Sequence, residues 1–107
     1  MVKRELPEKI IKEVTAFKKL LLADNLPVLK LYVFGSYAKG SAREDSDIDV
    51  AVVSSKFKSQ WSALDYLYKK LPYGIGSTIE PVGFSPKDFK NKYSSLVNEI
   101  KSYGVEV

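Results

Sequence analysis

Apolar positions along the chain recur first at helical spacing, then at strand spacing, and the switch repeats. Ile10, Val14, Phe17 and Leu21 share one helical face, so a helix is predicted from Leu6 to about Asn25, with Pro7 suited to its first turn. Leu29–Phe34 reads as a strand that ends at Gly35, and a short helix is predicted from Ser36 to Ala42. Ile48–Val53 is a second predicted strand, rich in β-branched residues at its end. Gln60–Leu71 reads as a helix with Trp61, Leu64, Leu67 and Tyr68 as its apolar stripe. Thr78–Phe84 reads as a third strand. From Pro86 to about Tyr103 a last helix is predicted, with Phe89, Tyr93, Leu96, Val97 and Ile100 facing inward. This alternation predicts an α/β fold, a small sheet of about three strands covered by helices. No internal repeat or linker divides the chain, so residues 1–107 are expected to form a single domain.

Composition narrows the chemistry. Cysteine and histidine are both absent from the sequence. Thiolate nucleophiles, disulfides, serine–histidine catalysis and the usual zinc sites are therefore excluded. Carboxylates, hydroxyls, lysines and hard metals held by oxygen remain. No apolar run is long enough to span a bilayer and the N-terminus lacks the pattern of a signal peptide, so a cytoplasmic protein without a membrane partner is expected.

Charge adds a location. The net charge is +4, yet residues 35–55 hold four acidic and two basic side chains. An acidic island thus lies within a basic chain. Lysines solvating helix faces account for the basic flanks, since no arginine-rich run or aromatic-interleaved patch appears. The acidic island argues against free nucleic acid as a partner, although the flanks leave it open.

That island is the segment Phe34–Val53, FGSYAKGSAREDSDIDVAVV. A phosphate loop of the G-x-x-x-x-G-K-[ST] type fails, because Ser41 and Ala42 follow Gly40 where lysine and a hydroxyl are needed. A calcium loop on Asp45, Asp47 and Asp49 fails too, because Val50 and Lys56 occupy the positions of its glycine and glutamate. Gly74–Gly76 lacks the third glycine of a dinucleotide fingerprint and leads into a strand, so it reads as a loop. A fourth reading fits. Residues two apart on a strand share a face, so Asp47 and Asp49 project together while Ile48 points to the apolar side. Two carboxylates held so close repel unless a cation lies between them. Mg²⁺ takes one or two carboxylates plus substrate phosphates. The Gly35–Ser36 turn supplies the other half, because glycine lets backbone approach a phosphate and a hydroxyl donates to it.

Gly-Ser, a spacer from Tyr37 to Ser46, then Asp-x-Asp, with Lys39-Gly40 and Ala42-Arg43 inside the spacer, resembles the signature of the minimal nucleotidyltransferases. These are small members of the DNA polymerase beta-like superfamily. The resemblance implies that fold. It also implies a third carboxylate on a later strand, and Glu80 in STIEPVGF is the candidate, ahead of Asp65 on a helix. It further implies transfer of a nucleoside monophosphate, AMP from ATP, to a hydroxyl acceptor. Asp47, Asp49 and Glu80 would hold two Mg²⁺ ions, with Glu80 as ligand or as base. Gly35, Ser36, Lys39, Arg43 and Ser46 would serve the nucleotide, although Arg43 also reads as a solvated arginine. Asp45 reads as turn chemistry. Members of this family pair with helical HEPN-type proteins as antitoxin and toxin, which implies such a partner and an acceptor tyrosine on it. The competing expectation is a binding module that neutralises its partner without catalysis, its nucleotide site vestigial or regulatory. Whether the chain forms an oligomer stays open.

Overall fold

The structure, a computed structural model, describes residues 6–43, 45–71 and 78–107. Four strands form one mixed sheet in the order β3-β2-β1-β4. They are β1 (Lys30–Phe34), β2 (Ile48–Val53), β3 (Ile79–Phe84) and β4 (Val105–Glu106). β2 runs antiparallel to β1 and parallel to β3, and β4 pairs antiparallel with β1. The helices are α1 (Glu8–Ala23), α2 (Ser36–Lys39), α3 (Gln60–Lys70) and α4 (Ser95–Tyr103), with a 3₁₀ turn at Asp88–Lys90 before α4.

Alternation along the central strands splits the core in two. Leu31, Val33, Ile48, Val50 and Val52 face α1 and α3, where Ile10, Val14, Phe17, Leu21, Ala63 and Leu67 are buried against them. The alternate residues Tyr32, Phe34, Ala51, Val53 and Phe84 face the other way, onto Phe89, Val97 and Ile100. Burying both faces explains the nearly continuous apolar run of β2, Ile48–Val53, broken only by Asp49.

Three sequence expectations need correction. Among the described residues the sheet has four strands, against about three expected. β4 is a two-residue strand that pairs with Tyr32 and Val33, too short to leave a periodic signal. The last helix is two elements. The chain leaves helical geometry at Asn91, and Ser94 starts α4 by accepting the Val97 N–H at 3.2 Å. Tyr93 falls in this break and is 86% exposed, and Leu96 is also exposed rather than inward-facing. Finally, α3 buries Ala63 and Leu67, while Trp61 is 81% exposed and Leu64 and Tyr68 are half-buried. The cause is steric. A Cβ on Gly83 of β3 would stand 2.5 Å from the Ala63 Cβ, so this crossing needs small residues on both sides. Gly74–Gly76 lies outside the described residues.

Candidate active site

The site lies where β1 ends and where β2 and β3 begin. Phe34 ends β1 opposite Asp49 of β2, and Asp49 is opposite Glu80 of β3. In-register neighbours point to the same face, so the Asp49 and Glu80 carboxyls leave the sheet side by side. Asp47 lies two residues before Asp49 and shares its side, while Ile48 is fully buried against the opposite layer.

Gly35 ties the two halves of the motif together. Its φ of 72° and ψ of −146° lie in a region that side chains disfavour, and this lets the chain turn straight from β1 into α2. A Cβ at Gly35 would stand 2.1 Å from Asp49 Oδ2. The Asp49 carboxylate thus occupies the space that any side chain at position 35 would need. Gly40 closes α2 in the left-handed conformation, with φ 75°. The Ser41 N–H donates to the Ser36 carbonyl at 2.9 Å and completes the loop.

The carboxylates feel one another. Burial, then the Asp47 charge, then the Glu99 charge push the Asp49 carboxyl above its ordinary value. Glu80 is also pushed up, by desolvation, by the Asp47 charge, by its hydrogen bond to Asp47 and by the Asp49 charge. Among the described residues no three acidic groups already stand at the spacing of a closed metal-ligand set. The donor set nevertheless fits a hard cation. It consists of crowded carboxylate oxygens whose repulsion a cation relieves.

The remaining sequence candidates divide. Ser36 opens α2 directly after the Gly35 corner. Lys39 points to α4, with its Nζ 3.2 Å from Glu99 Oε1 and 5.2 Å from the centre of the Tyr103 ring. The Ser46 hydroxyl accepts the Arg43 N–H at 2.7 Å, and the Ser46 N–H donates to the Arg43 carbonyl at 3.0 Å. Ser46 therefore builds the loop that delivers Asp47, and Arg43 is exposed on it. Asp45 lies in the same turn, exposed. Asp65 forms an exposed pair with Lys69 at 2.9 Å, one helical turn away. Glu99 carries no motif in the sequence. It stands alone in α4, and only the packing of that helix on the Asp49 face of the sheet brings it to the site.

The comparisons with known proteins place this fold among the nucleotidyltransferase domains. The model of the nucleotidyltransferase domain family matches residues 8–107, and the chain belongs to that family. It is 31% identical over 88 residues to the protein adenylyltransferase MntA of Shewanella oneidensis, covering 81% of this chain and 59% of that protein, well short of that protein's full length. A putative protein adenylyltransferase of Methanocaldococcus jannaschii is 33% identical over 107 residues, covering 92% of this chain and 99% of that one. Among solved structures, a toxin–antitoxin complex with AMP-PNP superposes with a TM-score of 0.60 at 27% identity, covering 89% of this chain and 69% of that one. A tri-AMPylated Shewanella oneidensis HEPN toxin in complex with its MNT antitoxin gives 0.57 at 25% identity, over 91% of this chain and 70% of that one. The polymerase beta-like fold and the minimal-nucleotidyltransferase resemblance seen in the sequence are borne out.

Proposed function

We propose that this chain transfers AMP from ATP to a hydroxyl on a protein, and that the acceptor is a tyrosine of a HEPN-type partner. The observation that carries the reading is the convergence of Asp47, Asp49 and Glu80 beside a Gly35 whose missing side chain makes room for Asp49. The relatives named as adenylyltransferases and the toxin–antitoxin neighbours support the acceptor class.

In this reading the acceptor oxygen forms a bond to the α-phosphorus of ATP, the bond from that phosphorus to the bridging oxygen breaks, and pyrophosphate leaves. Asp47, Asp49 and Glu80 would hold two Mg²⁺ ions, which supply charge neutralisation for the leaving oxygens and acidify the acceptor hydroxyl. Glu80, exposed beside Asp49, would act as a metal ligand or, instead, as the base that takes the acceptor proton. Ser36 and the backbone of its turn would donate to phosphate oxygens. Glu80 lies exposed on β3, the outermost strand on its side of the sheet, so a protein acceptor can reach the carboxylates.

Intact-mass spectrometry of a HEPN-type partner, incubated with this chain, ATP and Mg²⁺, tests the proposal. The partner is expected to gain one or more AMP increments, and to gain none with Asp47→Asn or Asp49→Asn. A partner that is neutralised equally well by both variants while its mass stays unchanged makes the chain a binding module instead.

A further inference from the structure

We propose that Glu99, aided by Tyr103, is a positioning residue that competes with the nucleotide for Lys39. This rests on the reading of the Gly35–Glu80 cluster as a nucleotide site. Lys39 stands one helical turn after the Gly35 corner, and its N–H donates to the Gly35 carbonyl at 3.0 Å. Its side chain is tied to α4 twice, to Glu99 Oε1 at 3.2 Å and over the Tyr103 ring at 5.2 Å. Glu99 and Tyr103 are four residues apart, so they share one face of α4 and grip the same ammonium. Lys39 is 41% exposed and Glu99 35%. Glu99 also stands close enough to add its charge to the Asp49 carboxyl.

Carboxylate and triphosphate differ in their hold on the ammonium. A lysine ammonium is a point charge on a flexible stem, with no fixed fork to hold one partner. A triphosphate arriving at the Gly35–Ser36 turn offers that ammonium several anionic oxygens, where Glu99 offers a single carboxylate. Nucleotide binding must therefore break the Lys39–Glu99 contact to recruit Lys39, and Glu99 sets how much affinity is lost in doing so. A partly exposed ion pair of this kind holds its lysine by a factor of about two to five.

A double-mutant cycle on nucleotide affinity tests this. The Kd for a non-hydrolysable ATP analogue with Mg²⁺ is measured by calorimetry for the parent, Glu99→Gln, Lys39→Met and the double variant. Glu99→Gln is expected to tighten binding about two- to fivefold by freeing Lys39. Lys39→Met is expected to weaken it, and in that background Glu99→Gln is expected to change nothing. Equal tightening by Glu99→Gln in both backgrounds overturns the proposal, because Glu99 then acts only as a nearby negative charge. Weaker or unchanged binding in Glu99→Gln overturns it as well. The catalytic reading fails separately: if Asp47→Asn transfers AMP at the parent rate while the cycle behaves as described, the transferase account falls and the competition for Lys39 stands.

Discussion

The two ends of the sheet treat a carboxylate in opposite ways. At the far end, Asp24 caps α1 and accepts the Tyr66 hydroxyl at 2.5 Å and the Lys70 ammonium at 3.2 Å. Those hydrogen bonds hold its carboxyl below the ordinary range, while burial and Asp24 push the Tyr66 hydroxyl up to about 12. The negative charge there is answered on both sides, and it joins α1 to α3. At the site end, Asp49 and Glu80 are raised, because burial and their carboxylate neighbours both disfavour the charged form. One end uses charge to hold two helices together. The other keeps charge unbalanced, which is the arrangement expected of a site that awaits a cation and a phosphate. The groove of about 520 Å³ lined by Lys56, Phe57 and Tyr66 belongs to the far end.

The contrast is broken most severely by moving charge at each end in turn. Asp47→Asn keeps the shape and removes one of the charges proposed to hold metal, so AMP transfer is expected to fall by at least about a hundredfold. Asp24→Asn is expected to leave the transfer rate unchanged within about twofold, since it touches only the helix junction. A steady-state rate assay on both variants checks the pair, and a comparable loss in Asp24→Asn would show that the two ends are not separate.

Gly35→Ala is the next largest effect. The new Cβ meets Asp49 Oδ2 and the backbone keeps a conformation that alanine disfavours. A stability loss of about 1–3 kcal/mol is expected, with loss of transfer because Asp49 must move. Chemical denaturation together with the transfer assay reads both. Retained activity in a fully stable Gly35→Ala would mean that the Asp49 position is not required.

The smallest effect concerns pH, and it has opposite sign at the two ends. Asp49 and Glu80 bind a proton more tightly in the folded chain than ordinary carboxyls do. Their contribution to stability is present below the ordinary carboxylate range and is lost as pH rises through their raised values. Asp24 is lowered, so its contribution is present above that range and is lost as pH falls through its lowered value. At neutral pH without metal, Asp49→Asn is expected to raise Tm by roughly 2–4 °C, the response of a domain this size to about 0.5 kcal/mol. The gain should fade in acid. Asp24→Asn should lower Tm at neutral pH and converge on the parent in acid. Thermal melts in chelator across pH give both curves, and parallel curves for the two variants would erase the distinction.

The sequence disclosed the site unevenly. β2 was legible residue for residue, Ile48–Val53, because a β-branched run buried on both faces leaves little choice of element. Asp47, Asp49 and Gly35 were legible from spacing, and the close fit of Asp49 over Gly35 gives that spacing a physical reason. Glu80 was a candidate through the family resemblance, which calls for a carboxylate on a later strand, and register sets it opposite Asp49. The features that stayed hidden depend on packing. Trp61 has the hydropathy of a core residue, yet the α3–β3 crossing selects Ala63 for its size. Glu99 and the Lys39 contact to it span 60 residues of sequence, and no local pattern links them.

In the proposed transfer the bond broken lies between the α-phosphorus and the bridging oxygen. Radiolabel followed from ATP into the partner protein reports which bond breaks. With the label on the α-phosphorus, the partner is predicted to become radioactive, and with the label on the γ-phosphorus the radioactivity is predicted to leave with pyrophosphate. Label that follows the γ-phosphorus into the partner, or α-label that enters the partner as readily with Asp49→Asn as with the parent, would contradict it.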